Sequence, residues 1–179
     1  MEIKIWKKIL GNDDKIGCID LRMDPSDPNI IYASMWNRIR KRWSDPVPED
    51  GDYIYKTTDG GKTWKPLTNG LPVTKTTGRI GLDISKSNPA VVYAFVDNHD
   101  KKREPKKDEL DSYGRIKEII VKGVEVYRSN DKGEHWTNMT ENNDYMERLC
   151  GTYGWVMGQM RVNPLDENCL YILGLAMAK

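Results

Sequence analysis

The chain has 179 residues, with 28 Lys and Arg against 27 Asp and Glu, a net charge of +1 and 38% apolar content. That suits one globular domain or part of a larger one, and the charge balance points to no nucleic-acid partner. Three cysteines without CxxC spacing (Cys18, Cys150, Cys169) suggest neither a disulfide framework nor a thiolate metal site, and no stretch nears the roughly 18 apolar residues of a membrane span.

The opening "MEIKIWKKIL" lacks the apolar core and small-residue cleavage site of a signal peptide, so the sequence assigns no compartment. From Ile19 the pattern becomes regular. Ile19, Leu21 and Met23 alternate with polar residues, a turn rich in Asp, Pro and Ser follows, and "IIYASM" resumes an apolar run. Alternation of period two means a strand with one buried face, and the turn residues make the pair a hairpin. The same hairpin is written again as "IGLDISKSNPAVVYAFV" (80–96) and "GQMRVNPLDENCLYILG" (158–174), aligned without a gap.

A second hairpin follows each of the first two. "YIYKTT" and "VEVYRSN" read as strands, "DGGK" and "DKGE" as turns, and "TWKPL" and "HWTNM" lead out. Asp59 and Asp131 are placed to accept backbone N–H groups across these turns, Gly61 and Gly133 to take positive φ, and Trp64 and Trp136 to lie against the sheet. The unit is therefore four antiparallel strands, A to D. Ile19 to Tyr32, Ile80 to Tyr93 and Gly158 to Tyr171 are equal in length, whereas the B–C and D–A connections vary. In a meander these two connections share one edge, so a site carried on variable loops belongs there rather than at the A–B and C–D turns.

The repeated motif Ser/Thr-x-Asp-x-Gly-x-x-Trp, met by Thr57, Asp59, Gly61 and Trp64 and again by Ser129, Asp131, Gly133 and Trp136, resembles that of Asp-box (BNR-repeat) β-propellers. The flanking text, such as "DPSDPNIIYASMW" and "YGWVMGQMRVNPLDENCLYILG", is similar to the branch holding sortilin-type (VPS10) propellers and xyloglucanase-like glycosyl hydrolases. The resemblance implies an all-β propeller segment of four-stranded blades: a blade end at 1–11, blades at 16–68 and 78–140, and a partial blade at 154–175. The stretch 97–123 reads as a long charged loop, within which "YGRIKEIIVKG" would form a strand extension or a short helix. The resemblance also implies that the remaining blades are supplied elsewhere or by self-association, since propellers close with four to eight. Full-length proteins of this kind are often secreted or periplasmic.

Candidate residues sit mostly on the variable edge. Two carboxylates suffice for glycoside hydrolysis, and Asp20, Asp83, Asp144 and Glu147 are the candidates; the alternative is that polar groups on an inner strand line a wet channel. "MWNRIRKRW" brings Trp36, Arg38, Arg40 and Trp43 to the first B–C loop, where they would stack on a sugar or grip an anionic partner, or simply pack and pair. Tyr153, Trp155 and Gln159 would form a second platform on the same face, or simply pack in the core and rim. Arg79 and Ile80 match part of the Arg-Ile-Pro motif of sialidases, with Gly81 in place of the proline and no arginine triad. "NMT" at 138–140 fits a glycosylation sequon. The expectation is a non-catalytic binding or scaffolding segment with a carbohydrate or protein ligand, no cofactor and no metal; the alternative is part of a glycoside hydrolase resembling xyloglucanases.

Overall fold

The computed structural model describes residues 7–11, 14–37, 53–72, 75–111, 114–140, 146, 158–173 and 177–178. Among the described residues the strands are β1 (Ile16–Met23), β2 (Ile31–Asn37), β3 (Ile54–Thr57), β4 (Lys65–Leu67), β5 (Thr77–Ile84), β6 (Val92–Arg103), β7 (Ile120–Ser129), β8 (Thr137–Asn138), β9 (Gln159–Asn163), β10 (Asp166–Leu173) and β11 (Met177–Ala178). They form two four-stranded sheets, β1-β2-β3-β4 and β5-β6-β7-β8, and a three-stranded sheet, β9-β10-β11. Every pairing is antiparallel. Each is a meander in chain order, as the repeat predicts.

The core lies between sheets rather than within one. Tyr32, Ile54 and Leu67 of the first sheet pack on Leu82, Val92, Ala94 and Tyr127 of the second. Tyr93, Phe95 and Val126 on the opposite face of the second sheet pack on Met160, Val162 and Ile172 of the third. Alternation along β6 sends even-numbered side chains to one neighbour and odd-numbered ones to the other, so a strand apolar on both faces is what stacking of blades requires.

The two Asp-centred turns are built alike. In the first, Asp59 Oδ1 accepts N–H bonds from Lys62 and Thr63, both at 2.9 Å, and the Thr57 hydroxyl accepts from Gly61. In the second, Asp131 Oδ1 accepts from His135 at 2.9 Å and the Ser129 hydroxyl from Gly133 at 2.8 Å. Gly61 and Gly133 hold φ of 90° and 88°, a left-handed conformation a side chain resists. The indoles of Trp64 and Trp136 donate to the carbonyls of Gly61 and Gly133. Each turn also donates to the A–B turn of its own sheet, Gly60 to Asn29 and Lys132 to Ala90, so both turns share one edge.

Two features differ from the sequence reading. The stretch 97–123 is not a loop throughout: β6 continues to Arg103, β7 begins at Ile120 within the segment that the sequence leaves open to a strand extension, and Leu110 is bridged to Ile116 beyond them. Ion pairs Arg103–Glu109 and Arg115–Asp111, each at 2.7 Å, brace the tip, so charges that suggest a solvated loop serve a protruding hairpin instead. The third sheet carries a further strand, β11, past the expected end at 175, because Leu173 pairs with Met177.

Candidate functional site

The inner strands β1, β5 and β9 bring the predicted acids close to backbone. Asp20 Oδ2 accepts the N–H of Leu82 at 3.0 Å, and Asp83 Oδ2 accepts that of Val162 at 2.8 Å. Arg22 lies between them, with Nη1 at 2.5 Å from Asp20 Oδ1 and Nε at 3.2 Å from Asp83 Oδ1. Both oxygens of each carboxylate are thus engaged, one by the next sheet and one by the guanidinium. The acid shifts two places along the strand between β1 and β5 for a steric reason. A Cβ at Gly81, the counterpart of Asp20, would lie 2.7 Å from the Gly158 carbonyl.

Other contacts repeat across the two joints. The hydroxyl of Tyr32 donates to the Lys132 carbonyl and that of Tyr93 to the Glu167 carbonyl, both at 2.8 Å. Lys56 sits over the Tyr32 ring and pairs with Glu134 at 2.8 Å, while Arg128 sits over Tyr93 and pairs with Glu167 at 3.1 Å. Cation, ring and acid recur in the same order.

At the edge shared by the B–C and D–A connections, the second sheet assembles a polar cluster that sequence reasoning missed. His99 Nε2 lies 2.9 Å from Asp97 Oδ2, and the His99 backbone N–H donates to the Thr76 carbonyl at 2.8 Å. The Thr76 hydroxyl donates to Asp100, whose other oxygen meets Lys122 Nζ at 3.2 Å. Beneath them Glu125 accepts from Asn98, Tyr127 and Asn138 at 2.6, 2.8 and 3.1 Å. Burial, and then the Glu125 carboxylate that accepts its proton, raise the Tyr127 hydroxyl well above the usual phenol value. The inner shell is fixed, whereas the His99 and Lys122 side chains remain 32% and 44% exposed.

The cluster is built by backbone approach. Gly78, entering β5, leaves room for Asp97: a Cβ there would stand 3.1 Å from the Asp97 carbonyl and 3.3 Å from its carboxylate. The signal in the sequence was "DNHD" at 97–100, a run of hydrogen-bonding groups ending an apolar strand beside "TTGR". Read as the start of a charged loop, it lost its strand geometry. Among the described residues no trio of His, Cys, Asp and Glu is arranged to hold a metal ion.

The other candidates fall as follows. Trp36 and Arg79 are on the variable edge but buried, both 7% exposed, so neither presents an open face. Gln159 is exposed at the start of β9. Arg38, Arg40, Trp43, Asp144, Glu147, Tyr153 and Trp155 lie outside the described residues.

Antiparallel four-stranded sheets packed face to face about a common set of inner strands define the class: the fold is that of β-propeller blades. In a search of solved structures the chain is similar to the GH74 xyloglucanase from Xanthomonas campestris, with a TM-score of 0.58 and 15% identity over 96% of this chain and 22% of that one. It is also similar to an ancestral GH74 enzyme, with a TM-score of 0.50 and 17% identity over 87% of this chain and 16% of that one. The chain therefore spans less than a quarter of either structure's length, and at such identity the likeness concerns the fold. No protein-family model matches the sequence, and no curated protein matches it.

Proposed function

We propose that these blades belong to a xyloglucanase-like propeller and bind a neutral polysaccharide along the B–C and D–A edge, as a non-catalytic part of the whole. The observation that carries the reading is the cluster of Asp97, His99, Asp100 and Lys122, partly exposed and braced from below by the Glu125 network. Carboxylates and an imidazole held at a strand end accept and donate to sugar hydroxyls, and their fixed positions lower the ordering cost of binding. The hairpin that flanks them balances its acids and bases, which favours an uncharged ligand over a polyanion. The likeness to GH74 enzymes supports the saccharide class through fold alone.

Asp20 and Asp83 act as ties between blades in this reading. A hydrolase needs one carboxyl group to give a proton and another to act on the anomeric centre or its water, with the pair roughly 5 to 10 Å apart across a groove. Carboxylates that hold backbone N–H groups and a shared guanidinium are poorly placed for either task. The second reading, that the chain carries part of a glycoside hydrolase's catalytic apparatus, is favoured by the GH74 fold likeness and rests on acids other than these two.

Affinity electrophoresis of the full chain in gels containing xyloglucan, with polygalacturonate as the charged control, separates the outcomes. Retardation by xyloglucan that falls at least tenfold in Asp97→Asn and Asp100→Asn supports the binding role. Release of reducing ends from xyloglucan by the wild-type chain supports the catalytic one, and equal mobility in all gels overturns the saccharide reading.

A further inference from the structure

Asn138 stands out in the sequence only as the first residue of a glycosylation sequon, yet its side chain is bonded into the network beneath the ligand edge. It lies on β8, the last strand of the second sheet, donates Nδ2 to Glu125 Oε1 at 3.1 Å and accepts the Thr140 N–H on Oδ1 at 2.8 Å. Thr140 returns to the sheet, where its hydroxyl accepts the Val126 N–H at 2.9 Å. The amide nitrogen that a glycan would take is thus committed to Glu125, and the motif does a different job in this fold.

Glu125 fixes the polarity of this network. A carboxylate only accepts, so each amide that faces it must turn its nitrogen inward and its oxygen away. Asn98 does so from β6: its Nδ2 donates to Glu125 Oε2 at 2.6 Å, and its Oδ1 is left to accept the Asp100 N–H at 2.8 Å. The register of β6 on β7 shifts between Asn98 and Lys101, which takes His99 and Asp100 out of the regular ladder. The Thr76 carbonyl accepts the N–H of His99 and the Asn98 side chain accepts that of Asp100, so both bulged residues are held at the backbone. Asn98 is 0% exposed, and protein packs around its amide on every side.

We propose that Asn138 is a remote positioning residue of the ligand edge, acting through Glu125 and Asn98 to fix the backbone at Asp100. The inference rests on the saccharide reading for what is bound, and adds which distant side chains set the site. Asp100 meets Thr76 and Lys122 through its carboxylate, so the amide polarity at Asn138 is passed to the cluster by the bonds Asn138 to Glu125, Asn98 to Glu125 and Asp100 to Asn98. The two Glu125 oxygens carry different loads: Oε2 takes Asn98 and the Tyr127 hydroxyl, whereas Oε1 takes Asn138. In Glu125→Gln, an amide oxygen at the Oε2 place keeps the first two bonds but turns a nitrogen on the Asn138 nitrogen, and donor meets donor. If Asn138 turns over to accept, its own nitrogen meets the Thr140 N–H, and the conflict only moves one step. Asn138→Asp sets two carboxylates face to face. With both substitutions together the new amide donates to the new acid, which also accepts from Thr140, so each of these bonds is kept with one direction reversed.

Affinity electrophoresis of the full chain in xyloglucan gels tests this with the two single variants and the double. Glu125→Gln and Asn138→Asp should each weaken retardation about tenfold, since each sets like groups against one another inside the network. The double variant should bind like the wild type, a recovery that two independent structural roles would not give. Asp83→Ala, which loosens the joint between the second and third sheets, should leave retardation unchanged and so separates positioning from lost stability. Amide shifts of His99 and Asp100 without ligand should follow the same pattern, displaced in each single variant and restored in the double. Full retardation of Glu125→Gln, a double variant as weak as its parents, or unmoved His99 and Asp100 shifts overturns the positioning role and leaves the saccharide reading standing. A wild type that xyloglucan does not retard overturns the saccharide reading, and the shifts without ligand then decide the positioning role by themselves.

Discussion

Asp83 reaches from β5 across the joint to accept the N–H of Val162 at 2.8 Å, and Asp20 on β1 does the same for Leu82 at 3.0 Å. One carboxylate per inner strand thus fastens the next inner strand, and Arg22 couples the two. The ordinary ladder bonds hold each sheet together; these bonds hold sheet to sheet.

Removing either tie should destabilise without disturbing the sheets themselves. Asp83→Ala leaves an inner-strand amide without its acceptor, at a cost of about 1–3 kcal/mol. Asp20→Ala should cost a similar amount, and the double variant less than the sum, because both acids share Arg22. Urea unfolding of the three variants measures this; additive losses would contradict the coupling.

Glycines on the inner strands should differ sharply in their tolerance. Gly81→Ala drives a Cβ to 2.7 Å from the Gly158 carbonyl and should cost about 1–3 kcal/mol through forced separation of the second and third sheets. Gly17→Ala, on the same edge of the first sheet, meets nothing within 4 Å and should stay within about 0.5 kcal/mol of wild type. Thermal melts of the pair give the comparison, and equal losses would show that the close approach of β5 and β9 is mistaken.

The Asp-centred turns should loosen in acid. Burial pushes Asp131 up, but the backbone N–H and imidazole of His135 and the Ser129 hydroxyl outweigh it and hold the carboxyl at about 2, below its ordinary 3.8. Burial likewise raises Asp24, and Lys132 with Ser26 brings it below the ordinary value. For an acid depressed in the folded state, the stabilisation is complete above the unfolded value and is lost as pH falls through the folded one. The Asp131 contribution should therefore persist down to about pH 4 and vanish toward pH 2. Asp131→Asn should flatten that part of the stability profile; an unchanged acid limb would exclude the turn as its source.

Trp136 should matter more than its repeat partner. Its indole is 6% exposed and packs in the joint with Tyr32 and Leu67, whereas Trp64 faces the open flank beside Ile9. Trp136→Ala should cost about 3–5 kcal/mol. Trp64→Ala should cost distinctly less in the single chain, and denaturant titration of both variants checks the order.

The hairpins, the meander and the shared edge of the turns were legible because each rests on local signals: period two in Ile80, Leu82 and Ile84, and the Asp and Gly of each turn. What escaped depends on partners far apart in sequence. Nothing near Asp20 reveals that Leu82 needs its carboxylate, and nothing in "GRIG" reveals that Gly81 must yield to Gly158. The register shifts at Cys18/Asp20 and Thr77/Ile80, which re-aim the starts of β1 and β5, leave no mark in the hydrophobic pattern. The extension of β6 and β7 was hidden for a different reason. Asn98 is buried but polar and Lys101 to Arg103 are solvated, so "NHDKKR" carries no apolar alternation although it pairs as a strand.

In the proposed function ligand binding falls at one edge of the blades and pure folding work at the other. Amide chemical shifts of the chain titrated with xyloglucan oligosaccharides test that division directly. Saturable shifts are expected at Thr76, Asp97 to Asp100 and Lys122, with Asp59 and Asp131 unmoved. Shifts centred on the Asp59 and Asp131 turns, or none at saturating oligosaccharide, would contradict it.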